Sequence, residues 1–210
     1  MQCNSYNVVI YRLGSLIYYT GNGDNTTISN NKMIYGYNGV YSATSSSGNK
    51  IIGNILDTIG SSGVYMSNQT GLNIEGNEFN MGDFGPSSGH YVSYGIRVEY
   101  ITSLVFKNNR MNMMAVNGQV VRAIMLANLR SNTSSSRSLV ANNFVTMSGG
   151  TGNCTGIALY NTEWVDMFYN NINITSKLKS GACFYLYPQY SNANVRLVNN
   201  AVVNTGGCFV

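Results

Sequence analysis

Apolar and polar positions repeat along the chain around a column of asparagines that lie 23 to 34 residues apart. These asparagines are Asn31, Asn54, Asn77, Asn109, Asn143, Asn170 and Asn200. Three residues before each asparagine the chain has Ile28, Ile51, Ile74, Phe106, Val140, Met167 and Leu197. Two residues after each it has Met33, Leu56, Phe79, Met111, Val145, Ile172 and Val202. This spacing predicts short strands whose inward and outward positions alternate.

A third apolar column completes the repeat, and a small residue precedes each of its members. The apolar members are Val40, Val64, Ile96, Ile124, Ile157, Phe184 and Phe209. The small residues are Gly39, Gly63, Gly95, Ala123, Gly156, Cys183 and Cys208, and we expect them at a crowded bend. We expect a sharp bend at the asparagines too, because Asn tolerates the left-handed conformation and its amide can bond the amides of neighbouring repeats. One repeat cannot bury its apolar positions alone, so the repeats must stack.

The pattern apolar-x-x-Asn-x-apolar, followed by Gly-apolar-x-apolar, resembles the repeats of right-handed parallel β-helices in the pectate-lyase-like superfamily. The resemblance covers roughly residues 25–210. That superfamily includes polysaccharide lyases and hydrolases, epimerases, phage tailspikes and microbial surface proteins, so the resemblance is specific for fold and unspecific for function. It implies a secreted or cell-surface location.

We therefore expect an all-β fold, a right-handed parallel β-helix (solenoid) of about seven to eight coils with an asparagine ladder. Residues 1–210 form one domain in this interpretation, with a first, less regular coil at 1–24 whose third apolar position is Leu16 or Ile17. Both ends of the sequence fall inside a coil. The expected partners there are flanking solenoid coils or like subunits.

Composition narrows the classes of function. Only 10% of residues are charged, while 44% are hydrophobic, which argues against disorder. The net charge of +4 is scattered, so a nucleic-acid partner is not expected. No run of 18 apolar residues predicts a membrane span.

The longer repeats hold extra residues, which we expect in loops. The predicted insertions are 82–94, 114–121, 128–137, 148–155 and 175–181. Four of the five fall between the second and third apolar columns, which predicts that they project from one side of the solenoid.

Candidate catalytic residues are few, because the chain has only eight acidic residues. Glycoside hydrolysis needs two carboxylates that flank the bond. Glu75 and Glu78 share a repeat but lie on either side of the asparagine bend, so we expect their side chains to diverge.

The strongest polar constellation is Arg97 with Glu99, with His90 and Lys107 nearby in the sequence. These are weak candidates for the base and the neutralising group of a polysaccharide lyase, and the alternative is a surface ion pair. Calcium-dependent elimination would need an acidic nest, which the sequence does not suggest. Neither a cofactor nor a metal site is expected.

Carbohydrate binding without chemistry has broader support. The outward position after the third apolar column is occupied by Tyr41, Tyr65, Arg97, Met125, Ala158 and Tyr185. Tyr41, Tyr65, Arg97 and Tyr185 are the candidate sugar contacts, and Trp164 is a weaker one. The alternative is ordinary packing of outward strand residues.

Two cysteines, Cys183 and Cys208, fall in the same column of adjacent repeats. Stacked strands lie about 4.8 Å apart, within reach of a disulfide. The alternative is that this column simply requires small residues.

Three functions stay open from the sequence. The first is a non-catalytic structural or adhesive segment of a secreted, surface or fibre protein that contacts a polysaccharide or cell-surface glycan. The second is a polysaccharide lyase or glycoside hydrolase, and the third is a self-associating filament subunit.

Overall fold

A computed structural model describes residues 14–20, 23–81, 92–114, 119–130, 136–149, 153–175, 181–187 and 194–205. These residues form 23 short strands and no α-helix, so the predicted all-β class is confirmed. The strands make up three parallel sheets of seven strands and one sheet of two. In the described part of the chain, no helix is long and apolar enough to cross a membrane.

Each large sheet takes one strand from every repeat. The first sheet contains β1 (Ser15–Tyr18), β4 (Asn38–Ser42), β8 (Ser62–Ser67), β12 (Val92–Glu99), β15 (Val120–Ala127), β18 (Cys154–Tyr160) and β21 (Gly181–Leu186). The second contains β2 (Thr27–Ser29), β6 (Lys50–Ile52), β10 (Asn73–Glu75), β13 (Val105–Lys107), β16 (Ser138–Ala141), β19 (Val165–Phe168) and β22 (Arg196–Val198). The third contains β3 (Lys32–Ile34), β7 (Ile55–Asp57), β11 (Glu78–Met81), β14 (Arg110–Met114), β17 (Phe144–Ser148), β20 (Asn171–Ile174) and β23 (Ala201–Asn204). The small sheet pairs β5 (Ser46–Ser47) with β9 (Gln69–Thr70).

The chain visits the first, second and third sheets in turn and then returns to the first, one strand further along. Strand order in every large sheet therefore follows chain order, and all the described strand pairs are parallel. This topology is consistent with a parallel β-helix.

The three apolar columns lie in register across the sheets. The column that begins at Ile28 runs through the second sheet, and the column that begins at Met33 runs through the third. The third column runs through the first sheet and begins at Ile17, while Phe209 lies outside the described residues. Most members are fully buried, so the stacked repeats share one continuous core.

The asparagine column forms an unbroken hydrogen-bond ladder. In each of its six consecutive pairs, Nδ2 donates to Oδ1 of the asparagine in the next repeat at 2.9 to 3.1 Å. That same Oδ1 also accepts from the backbone N–H of the preceding asparagine. Five of the asparagines, from Asn54 to Asn170, are buried, so these bonds satisfy polar groups that water does not reach.

The left-handed residue is the one before each ladder asparagine, so the predicted conformation was displaced by one position. Positive φ angles of 53° to 65° occur at Asn30, Gly53, Gly76, Asn108, Asn142, Tyr169 and Asn199. The ladder asparagine is thereby left free of left-handed strain, and its side chain points along the stack.

The small column is crowded as predicted, but it lies within the strands of the first sheet rather than at a bend between strands. A Cβ on Gly63 would lie 2.5 Å from the backbone oxygen of Gly95 and 2.6 Å from Cδ1 of Phe79. Gly39 and Val40 are both buried although they are consecutive, so the strand departs from simple alternation there. The third-sheet side chains fill the space that a larger residue would need.

Several predicted insertions are shorter than expected, because strands extend into them. For example, β12 begins at Val92, which places Tyr94 inside a strand. The remaining segments 82–91, 115–118, 131–135, 150–152 and 176–180 lie outside the described residues, as do residues 1–13. The prediction that four loops project from one side of the solenoid concerns those segments, so it stays a prediction.

Candidate functional site

The outward face of the first sheet carries the predicted column of tyrosines. Tyr41, Tyr65 and Arg97 are in register on adjacent strands, and Tyr18 extends the column by one strand. Met125 and Ala158 separate Arg97 from Tyr185 at the far end.

Rings and guanidinium groups form a continuous series along this face. The Tyr18 and Tyr41 ring centroids are 5.5 Å apart, and those of Tyr41 and Tyr65 are 4.7 Å apart. The Arg97 guanidinium lies 5.3 Å from the Tyr65 centroid and 5.3 Å from that of Tyr94. The series thus passes from the predicted column to a neighbouring one through Arg97.

The second half of the series begins with Arg122. Its guanidinium lies 5.9 Å from the Tyr94 centroid and 5.7 Å from the Tyr160 centroid. Tyr160 stacks on Tyr187 at 4.5 Å, and the Tyr187 and Tyr185 rings are nearly perpendicular with centroids 5.3 Å apart. We call this series the tyrosine–arginine ribbon: Tyr18, Tyr41, Tyr65, Arg97, Tyr94, Arg122, Tyr160, Tyr187 and Tyr185. It crosses seven strands, a length of about 29 Å at the usual strand spacing.

Stacking within the ribbon determines what it offers to a ligand. The Tyr41 and Tyr65 rings are inclined by only 16°, so they cover each other's faces. The other face of Tyr65 is covered by Arg97. At this point the ribbon therefore offers ring edges and hydroxyls to solvent, rather than the open faces that the sequence suggested for sugar stacking.

Arg97 and Glu99 form the charged centre of one half of the ribbon. Arg97 Nε donates to Glu99 Oε1 at 2.7 Å, and the Tyr65 hydroxyl donates to Oε2 at 3.3 Å. Burial alone would lower the pKa of Arg97, but attraction to Glu99 raises it overall. Burial, and then Glu99, raise the pKa of Tyr65. Arg97 is held as a cation and is poorly suited to act as a base.

Arg122 is the cation of the other half. It donates from Nη1 to the Tyr94 hydroxyl at 3.2 Å. Within the described ranges, no carboxylate forms an ion pair with Arg122. Burial raises the pKa of Tyr160 although Arg122 opposes the shift, so this hydroxyl stays protonated at neutral pH.

A shallow groove of about 220 Å³ lies beside the first half of the ribbon. Its lining residues are Tyr37, Asn38, Tyr41, Ser61, Ser62, Tyr65 and Arg97. Hydroxyls, an amide and a guanidinium therefore surround a concave strip of the surface.

The weak catalytic candidates are not all brought together. Arg97 and Glu99 meet, but Lys107 lies on the second sheet, where its Nζ is 3.2 Å from Glu75 Oε1. Glu78 accepts from Asn80 Nδ2 at 2.8 Å and so has a different partner from Glu75. His90 lies outside the described residues.

A second charged cluster, which the sequence did not predict, is centred on Asp166 of β19. It includes Arg137, just before β16, and Arg196 of β22. Asp166 accepts from Arg137 Nε at 2.6 Å and from Arg196 Nε at 2.7 Å. Its pKa falls to about 2, because the Arg196 hydrogen bond outweighs burial and Arg137 adds to the effect. The Arg137 guanidinium also lies 5.3 Å from the Trp164 ring, so Trp164 already has a partner within the protein.

Cysteine chemistry is restricted by burial. Cys183 is buried, burial raises the pKa of its thiol, and its Sγ lies 3.8 Å from the Val203 oxygen. Cys208 lies outside the described residues, so the disulfide stays a prediction. A group of three or more His, Cys, Asp or Glu side chains suited to a metal ion is not found in the described ranges.

The sequence reasoning missed Tyr18, Tyr94, Arg122, Tyr160 and Tyr187 in the ribbon. Tyr94 and Arg122 precede the third apolar column by two residues. Tyr94 falls within the predicted insertion 82–94, and Arg122 follows directly after the predicted insertion 114–121. Extending β12 and β15 by that distance would have found them.

No protein-family model matches this chain, and no curated protein is significantly similar to it in sequence. The ribbon's geometry is therefore the main guide to function.

Proposed function

We propose that this chain is a rigid, non-catalytic segment of a right-handed parallel β-helix that presents the tyrosine–arginine ribbon to an extended glycan. The observation that carries the proposal is the ribbon, which runs across all seven strands of the first sheet. An extracellular or cell-surface location goes with it, as the resemblance to secreted and surface solenoids implies.

The chemistry of the ribbon supports a polyhydroxylated ligand. Tyrosine hydroxyls both donate and accept hydrogen bonds, and guanidinium groups donate several in a fixed plane. The stacked rings already contact one another, so little side-chain entropy remains to be lost when a ligand binds. A glycan chain laid along the strand stack meets a repeated set of such groups.

The remainder of the chain supports a scaffold role. Buried apolar columns and the asparagine ladder repeat without interruption, which is typical of stiff stacked repeats. A right-handed path is favoured because parallel crossover connections are overwhelmingly right-handed.

Local chemistry argues against hydrolysis or elimination at the ribbon. Glu99 is bonded to Arg97 and Tyr65, and no second acid belongs to the ribbon as described. A hydrolase would need a pair of carboxylates, and a lyase would need an unprotonated base. If the protein is an enzyme, its catalytic groups lie elsewhere.

Binding to immobilised neutral and acidic polysaccharides tests the proposal. Arg122→Ala removes the guanidinium between Tyr94 and Tyr160, and we expect about tenfold weaker binding, as for the loss of one hydrogen bond from a charged donor to a glycan hydroxyl. Phe144→Ala is the control, because Phe144 is 57% exposed on the third sheet, away from the ribbon. Equal binding by wild type and Arg122→Ala would remove the ribbon as the binding surface.

The same incubations, repeated with and without calcium, report on catalysis. We expect polymer length to stay constant. New reducing ends or new absorbance from unsaturated ends would make the protein a hydrolase or a lyase instead. Arg97→Ala would then show whether the reaction depends on Arg97.

Self-association is a second candidate, favoured by one observation. Leu197 belongs to the otherwise buried second-sheet column, yet it is 45% exposed on β22. A second copy of the chain that stacks on that end would cover Leu197.

A further inference from the structure

A polar cleft lies where the chain passes from the first sheet to the second. Its volume is about 460 Å³, and it is lined by Asp24, Ser45, Ser46, Ser47, Asn68, Gln69, Thr70, Tyr100 and Thr102. The cleft lies at the ends of β8 and β12, beyond the ribbon residues. It is therefore a separate surface feature.

Tyr100 lies at a corner where the neighbouring repeats have an asparagine. Asn68, Asn128 and Asn161 hold the equivalent position in the neighbouring repeats, and all four residues have left-handed φ angles between 52° and 58°. Asn adopts this conformation at little cost, whereas a residue as bulky as tyrosine is strained there. Such strain is concentrated at functional sites.

The tyrosine at position 100 also interrupts a column of asparagine side chains that hydrogen-bond to one another. Asn161 Nδ2 donates to Asn128 Oδ1 at 2.8 Å, but Tyr100 has no amide with which to extend that column towards Asn68. The Tyr100 side chain gains little from burial in exchange, because it is 56% exposed. Tyr169 has the same backbone conformation at another corner, so what distinguishes Tyr100 is that its exposed ring lines the polar cleft.

The cleft beside Tyr100 is internally organised. Asp24 Oδ1 accepts from the backbone N–H of Ser47 at 2.6 Å and from its hydroxyl at 3.1 Å. Buried Gln69 donates to the Thr44 oxygen at 2.7 Å and accepts from the Ser46 hydroxyl at 2.7 Å. These bonds fix the floor of the cleft before any ligand arrives.

We propose that this cleft binds a neutral saccharide unit, with the exposed Tyr100 ring against its apolar face and the Asp24 carboxylate and neighbouring hydroxyls and amides against its hydroxyl groups. A few fixed polar groups beside an exposed aromatic ring are typical of sites that orient a small ligand. Among the residues that the structure describes, the lining contains one carboxylate and no cationic side chain, which disfavours uronic acids and other anions.

Titration calorimetry with neutral glucose, galactose and mannose oligosaccharides, and with oligogalacturonate as the acidic probe, tests this site. Tyr100→Asn restores the residue found in the neighbouring repeats, so the variant should fold with an unchanged or higher melting temperature. We expect it to bind the preferred neutral oligosaccharide at least tenfold more weakly. Asp24→Asn should weaken binding as well.

Tyr169→Asn is the matched control. Tyr169 is also a left-handed tyrosine, 60% exposed, in a column of asparagines and glycines, but it lies at a different corner. This variant should keep wild-type binding. The inference is overturned if Tyr100→Asn binds normally, if both variants lose binding equally, if no neutral oligosaccharide binds the wild type at millimolar concentration, or if oligogalacturonate binds more tightly.

Arg122→Ala separates the cleft from the ribbon. Neutral oligosaccharide binding that survives Arg122→Ala and is lost in Tyr100→Asn supports the cleft, whatever happens to polysaccharide binding. Binding lost in Arg122→Ala but kept in Tyr100→Asn assigns the ligand to the ribbon and overturns the cleft site.

Discussion

An asparagine suits the ladder position because its side chain is both donor and acceptor. Asn109 donates to Asn143, to the Ile74 oxygen and to the Lys107 oxygen, and it accepts from the amide and the backbone of Asn77. An aspartate would lack the donor, and a buried aspartate would also carry an unpaired charge. Each interior rung therefore depends on both of its neighbours.

Asn109→Ala should lower the free energy of unfolding by about 3 kcal/mol, because the buried backbone N–H of Asn77 loses its acceptor and the side-chain bonds to Asn77, Asn143 and two backbone oxygens are lost. Asn200→Ala is the matched control at the exposed end of the ladder, where water can replace lost bonds, and its loss should be about half as large. Urea unfolding of both variants measures the difference. Equal losses would mean that burial does not determine the strength of a rung.

The place of a residue in the fold could be predicted from the sequence where the same pattern recurs in several repeats. The apolar columns and the ladder column each recur seven times, so their register followed from spacing alone. The left-handed position was harder, because Asn108-Asn109 and Asn142-Asn143 offer two asparagines for one bend. Gly53 and Gly76, which directly precede ladder asparagines, were the signal that could have decided it.

Strand lengths limited how much of the site could be predicted at the scale of elements. The eight-residue strands β12 and β15 begin before the positions at which the apolar column was recognised. The ribbon also changes column between Arg97 and Tyr94, a step that depends on side-chain length and direction. Spacing along the chain carries no information about that step.

Close packing between the first and third sheets predicts that Gly63 cannot be enlarged. A Cβ at this position meets the backbone of Gly95 and the ring of Phe79, so Gly63→Ala should cost about 1 to 3 kcal/mol. Gly76→Asn is the control, since nothing lies within 4 Å of a Cβ there and Asn108 holds the equivalent position. Thermal unfolding should show a lower midpoint for Gly63→Ala alone, and a similar shift in both variants would contradict the packing argument.

The Asp166 cluster links β19 and β22 of the second sheet to Arg137, the residue before β16, and it predicts that the stability of the fold falls at acid pH. The folded-state pKa of about 2 lies below the ordinary 3.8, so the ionised carboxylate stabilises the fold above about pH 4. This contribution, about 1 to 2 kcal/mol, should disappear as pH falls from 4 to 2.

Urea midpoints across that pH range, compared between wild type and Asp166→Asn, measure the contribution. The two proteins should differ most above pH 4 and converge towards pH 2. Asp57→Asn is the control, because Asp57 forms no ion pair in the part of the chain that the structure describes. A constant difference between wild type and Asp166→Asn at every pH would exclude titration of Asp166 as the cause.

At the scale of the whole molecule, all three large sheets end at the same two repeats, counted over the residues that the structure describes. β21, β22 and β23 form one set of edges, and β1, β2 and β3 form the other. Edge strands present unpaired backbone donors and acceptors, and both sets belong to parallel sheets that run in the same direction. One copy could therefore pair its last edges with the first edges of another, a head-to-tail contact that need not close into a ring.

This contact predicts association that depends on concentration and on the apolar residues at the last repeat. Sedimentation velocity at micromolar concentration should show species larger than a monomer, and Leu197→Asp should return the protein to the monomer by placing a charge in the contact. Tyr185→Asp, at an exposed position on the outward face of the same repeat, should associate like the wild type. If the wild type stays monomeric at every concentration, end-to-end stacking is excluded and the exposed Leu197 has another explanation. If only Tyr185→Asp dissociates, the contact lies on the first-sheet face, where it would compete with the glycan for the ribbon.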